Sequence, residues 1–163
     1  MSCSINEGRA HLELPQGYRE MTPEEVEGLL VQKKTAGHTK TWTAWGAVSD
    51  EPAVKLFANA LKQPALRGRL AGMARMRDRE AEGTQRVTPE FNLLAKTQRT
   101  VGEQEAYGFR YSYVRDGGTR IAEHLLACVG GYYYMFIVVS AAADAPAALD
   151  AFEDLLASVE FGA

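Results

Sequence analysis

Cysteine is scarce in this chain: Cys3 and Cys128 are the only two among 163 residues. Their spacing fits no disulfide framework. The expectation is two free thiols in a reducing compartment, and with it a cytoplasmic protein. Long apolar runs are missing too. The longest, residues 132–139, is far too short to span a bilayer as a helix, so no membrane insertion is expected. Residues 1–9 lack the apolar centre of a secretory signal and read as a flexible tail. His11, His38 and His124 stand far apart, with no Cys-x-x-Cys, His-Glu-x-x-His or EF-hand loop around them. Gly-x-Ser-x-Gly, the Walker loop and Gly-x-Gly-x-x-Gly are all absent. These gaps weigh against an enzyme, a metal and a cofactor.

What the chain has is ordinary globular composition, 46% hydrophobic and 24% charged, at a length that suits one domain over residues 1–163. The net charge of −3 is unevenly spread. Residues 65–100 hold 8 basic and 4 acidic side chains, whereas residues 101–163 hold 3 and 9. That balance disfavours a dedicated nucleic-acid binder.

The last third carries the clearest pattern. Phe109, Tyr111 and Tyr113 alternate with Arg110 and Ser112, as in a strand with one apolar face. Asp116-Gly117-Gly118 supplies a tight turn into a strand over residues 119–129. There Ile121, Leu125, Ala127 and Val129 share one face, and Ala122, His124, Leu126 and Cys128 the other. Gly130-Gly131 turns the chain again. Residues 132–140 are apolar at both parities, which predicts a central strand covered on both sides. A final helix begins near Asp144-Ala145-Pro146, with Leu149, Phe152, Leu156 and Val159 as its stripe.

Upstream, residues 11–14 suggest a first short strand. Thr22-Pro23-x-Glu25 is a capping box with proline at the first helical position. Residues 39–47, with Trp42 and Trp45, suggest a strand. Residues 50–62 read as a helix from the spacing of Val54, Phe57 and Leu61, and residues 66–82 as another. Residues 90–101 open the antiparallel sheet, with Phe91, Leu93 and Ala95 on one side.

Two constellations are candidate sites. Arg67, Arg75 and Arg79 share one sector of the helix over residues 66–82, a face able to dock phosphate, carboxylate or an acidic partner protein. An ordinary solvated helix face is the plainer reading. Arg77 points nearer the apolar stripe, where it caps the core edge or pairs with an acid. Trp42, Tyr111 and Tyr134 form the second set, able to line a pocket for an apolar or aromatic ligand between sheet and helix. Core packing is the plainer role for such aromatics.

The order of elements resembles the PsbP/Mog-like family. The resemblance rests on Leu14-Pro15-x-Gly17-Tyr18 after the opening strand, Gly108-Phe109-Arg110-Tyr111, Gly131-Tyr132-Tyr133-Tyr134, and the closing Phe152-x-x-Leu155-Leu156-x-Ser158-Val159-x-Phe161. It spans most of the chain through short structural motifs. It implies an α+β fold, an α/β/α sandwich whose mainly antiparallel central sheet of five to seven strands carries helices on both faces. It also implies a non-enzymatic scaffold that binds a partner. The arginine-rich helix departs from the family pattern. The leading expectation is therefore an adaptor docking an acidic protein through Arg67, Arg75 and Arg79; a carrier of a small apolar ligand is the alternative.

Overall fold

Alternation with a period of two builds most of this molecule. The computed structural model describes residues 1–27, 43–62 and 70–162. In chain order these form β1 (Ser2–Ile5), β2 (Ala10–Glu13), β3 (Arg19–Glu20), α1 (described over residues 23–27), β4 (Thr43–Ser49) and β5 (Val54–Lys62). Then follow α2 (Leu70–Val87), β6 (Asn92–Val101), β7 (Gln104–Arg115), β8 (Gly118–Val129), β9 (Tyr132–Ala141), α3 (Ala145–Ala157) and β10 (Glu160–Phe161).

Seven strands make one antiparallel sheet in the order β3-β4-β5-β9-β8-β7-β6. The meander β6 to β9 follows from its turns. Gly102, Gly117, Gly130 and Gly131 all have positive φ, the conformation a tight hairpin turn demands. Strand β9 is central, as its two apolar parities predict: it pairs with β8 on one side and β5 on the other. A second sheet, β1-β2-β10, joins the two ends of the described chain.

Each face of the long sheet has its own core. Leu56, Ala58, Ala60, Leu125, Ala127, Tyr134, Phe136 and Val138 cluster with Phe152, Leu155 and Leu156 of α3 and with Cys3, Ile5, Ala10 and Leu12 of the small sheet. The opposite parity, Phe57, Leu61, Leu126, Tyr133, Met135 and Ile137, gathers around Met73 of α2, and Met76 packs on the same cluster. Further along α2, Ala81 meets Phe109, Tyr111 and Ala122.

Three expectations need correction. Residues 1–9 are not a loose tail: β1 pairs with β2 in the register Cys3↔Leu12 and Ile5↔Ala10, and both β1 side chains are buried. The alternation Ser-Cys-Ser-Ile is enough for a four-residue strand when a partner covers its apolar side. Residues 54–62 are strand β5, not helix. Val54, Phe57 and Leu61 do fit a helical stripe, but in the strand Val54 lies with the buried Leu56, Ala58 and Ala60 on one face, and Phe57 and Leu61 lie on the other. A strand covered on both faces loses the alternation that would identify it. The strand expected over residues 11–14 is β2, preceded by β1.

The helix over residues 66–82 is observed as α2, displaced towards the C-terminus; residues 66–69 lie outside the described residues. At α1 Thr22 caps the helix as expected: the Glu25 amide donates to Thr22 Oγ1 at 3.3 Å and the Val26 amide to the Thr22 carbonyl at 3.1 Å, while the Glu25 carboxylate pairs with Arg19 at 3.2 Å.

Candidate functional site

Helix α2 turns its arginines in two directions. Arg75 and Arg79, four residues apart, are exposed, and neither has an ion pair among the described residues. Arg77 turns inward: its Nε lies 3.1 Å from Asp78 Oδ1, and its guanidinium sits 5.7 Å from the Tyr107 ring centroid. That is the core-edge position expected for it. Lys96 Nζ also reaches Asp78, at 3.1 Å. Hydrogen bonds from Lys96 and Arg77 hold the Asp78 carboxyl below its usual range. Asp78 is thus engaged by Arg77 and Lys96. Arg67 lies outside the described residues.

Tyr111 and Tyr134 lie on opposite faces of the sheet. Trp42 lies outside the described residues. Tyr111 pairs with Ala122, which pairs with Val139, so all three share the α2 face. Tyr134 is five residues from Val139 along β9 and therefore faces α3. The sheet stands between the two phenols. Each has a separate structural role. Tyr111 stacks on Phe91 at 4.8 Å, and its hydroxyl lies 3.0 Å from His124 Nε2; burial pushes its pKa up. Tyr134 packs on Phe161 at 4.9 Å, and its hydroxyl accepts a hydrogen bond from Asn6 Nδ2 at 2.9 Å.

Sequence reasoning passed over a buried charge cluster. Glu123 is fully buried on the α3 face, between Ile121 and Leu125. Its Oε2 accepts from Arg99 Nη1 at 2.7 Å and its Oε1 from Arg110 Nε at 2.9 Å. Arg99 continues to Glu153 of α3 at 2.8 Å. A carboxylate interrupting an apolar row at i+2 spacing was the available signal. With both oxygens engaged and α3 overhead, the cluster ties three strands and a helix together.

The α2 face also holds a cavity of about 670 Å³ near the β4–β5 and β7–β8 turns. Phe57, Ile137 and Val139 make its apolar floor, and Asn59, Arg120 and His124 supply polar groups. Tyr113 lines it as well; burial raises that phenol's pKa, against the opposing charges of Arg115 and Arg120. Among the described residues no three His, Cys, Asp or Glu side chains gather as a metal site. No helix among them is long and apolar enough to cross a membrane.

Solved structures share this arrangement of strands and helices. Cyanobacterial PsbP (CyanoP) from Synechocystis is 14% identical with a TM-score of 0.63, over 99% of this chain and 91% of its own. The Saccharomyces cerevisiae Ran-binding protein Mog1p is 10% identical with a TM-score of 0.57, over 99% and 94%. The fold is PsbP/Mog-like. The same PsbP/Mog-like arrangement matches LpqN of Mycobacterium tuberculosis, involved in cell envelope biogenesis, at 13% identity and a TM-score of 0.65 over 94% of this chain and 83% of that one. No protein-family model and no curated protein matches the sequence.

Proposed function

We propose that this protein is a non-enzymatic, cytoplasmic adaptor that docks an acidic protein partner on the exposed face of α2. The observation carrying the reading is the contrast within that helix. Arg77 is engaged by Asp78 and Tyr107, whereas Arg75 and Arg79 are exposed with no carboxylate within pairing distance among the described residues. Two guanidiniums one helical turn apart can fork onto neighbouring carboxylates of a partner. Such charges act over about 8–10 Å at ordinary salt, so they speed encounter as well as hold the complex.

A three-layer α/β/α arrangement belongs to the same reading. It is supported by the separate clusters that α3 and α2 form with opposite parities of β9. The Ran-binding description of Mog1p lends support by fold analogy alone. Cytoplasmic residence fits two free cysteines, Cys3 and Cys128.

The test is a pull-down from source lysate that compares the wild type with the Arg67/Arg75/Arg79→Glu variant, followed by binding of the purified captured protein. The reading expects an acidic protein held by the wild type, released by salt, and lost in the variant at unchanged melting temperature. Equal binding by the variant would remove the helix face from consideration.

A further inference from the structure

The cavity on the α2 face makes two kinds of demand on an occupant. The first is polar. Asn59 is only 6% exposed and Ser49 only 7%; both line the cavity. Neither side chain has a hydrogen-bond partner among the described residues, whereas the neighbouring Ser140 hydroxyl donates to the Ala141 carbonyl at 3.0 Å. Neither side chain is among the polar atoms sealed from solvent without a partner, so the two donors and one acceptor of the Asn59 amide are open to the cavity. Such groups point to an occupant that completes them.

The second demand is charge. Lys55, Arg115 and Arg120 line the cavity, with Asp50 and Asp116. The two acids and Lys55 and Arg115 are exposed at the rim, where water screens them. Arg120 is the half-buried one. It carries no ion pair among the described residues, in contrast to Arg99 and Arg110, the half-buried arginines of the opposite face, which both reach Glu123. The partly buried charge in the cavity is therefore the guanidinium of Arg120, above a floor of Phe57, Ile137 and Val139.

We infer that this cavity binds a small organic monoanion: an apolar body seated on Phe57, Ile137 and Val139, its carboxylate paired with Arg120 and its polar edge met by Asn59. The volume of about 670 Å³ lies within the span of about 300–1,000 Å³ usual for small-molecule sites. Neither Tyr111 nor Tyr134 lines this cavity. It is also independent of the exposed arginines of α2, so either can fail without the other.

Naphthoate and its uncharged isostere naphthamide are suitable probes. The full chain is titrated with each, and the Asn59 side-chain amide signals are followed by NMR. Naphthoate should shift them saturably and bind at least about tenfold more tightly than naphthamide, the worth of one charge-assisted hydrogen bond. Arg120→Gln should erase that preference while naphthamide binding and the circular dichroism spectrum stay unchanged. Arg120→Lys should keep most of it. Asn59→Leu, which removes the polar edge, should weaken both probes when the Ile137 and Val139 methyl signals are followed instead. The inference is overturned if the Asn59 signals do not move with naphthoate, if naphthamide binds equally well, or if Arg120→Gln keeps the preference for the anion.

Discussion

Two buried ionisable side chains illustrate how single residues set the conditions under which this fold is stable. Burial pushes the Cys3 thiol up to about 12 from its ordinary value of 9.0. The folded state holds the thiol protonated, while the unfolded chain releases the proton above its ordinary value. The stability contributed this way is complete below pH 9.0 and is lost as pH rises towards 12. Tyr111 and Tyr133 shift in the same direction through burial, so alkaline destabilisation is shared. Cys3→Ala should flatten the fall of melting temperature above pH 9.0 without removing it; a slope unchanged from wild type would assign the whole effect to other groups. Glu123 is a different case, a fully buried carboxylate bonded by two guanidiniums. Glu123→Gln would leave Arg99 and Arg110 facing a neutral amide under α3, at a cost of about 3–5 kcal/mol in urea unfolding. Adding Arg110→Met should recover part of the loss, because Arg99 retains Glu153 at 2.8 Å. No recovery would mean that Arg110 stabilises by packing and not by its charge.

At the scale of elements, close approach matters more than propensity. Gly108 sits in β7 where it crosses β8: a Cβ there would fall on the His124 carbonyl oxygen and within 2.6 Å of Thr97 Oγ1. The carbonyl belongs to the sheet ladder and cannot retreat. Gly108→Ala should therefore lose about 1–3 kcal/mol of stability. Around Gly83 in α2, an added Cβ would meet nothing within 4 Å, so Gly83→Ala should gain about 0.5–1 kcal/mol. Denaturant midpoints of the two variants check both signs; the same direction in both would refute the steric argument. The hairpins β7 to β9 were legible because glycine turns bound their strands, even though β9 is apolar at both parities, and helix α3 because its apolar residues recur at helical spacing. Strand β5 was not, since a segment buried on both faces looks the same at either period. Strand β1 escaped notice because four residues become a strand only when β2 and the α3-side core cover them. Among candidate site residues, Arg75 and Arg79 were readable from helical spacing. The cavity was not: Asn59, Arg120 and His124 come from β5 and β8, which touch only through β9, and no local pattern in the sequence records that adjacency.

For the molecule as a whole, the question is whether its two sheets fold as one unit. The long sheet is held through its interior by β5, β9 and β8, whose side chains are buried on both faces. The small sheet depends on fewer contacts. Strand β10 pairs with β2 at only Glu160↔His11 and Phe161↔Ala10, and the Gly162 amide donates to the Arg9 carbonyl at 2.7 Å. The Phe161 ring bridges the two sheets, 4.9 Å from Tyr134 and against Gly102. Removing that ring should release the small sheet first, since local opening follows the weakest set of contacts. Phe161→Ala should cost about 2 kcal/mol. Hydrogen exchange should then quicken at the amides of β1 and β2 while those of β5 and β9 keep their protection. Equal loss across all four strands would instead show that the core containing Cys3, Leu12, Tyr134 and Phe152 couples both sheets into one cooperative unit, with the Phe161 bridge as part of it rather than a separable latch.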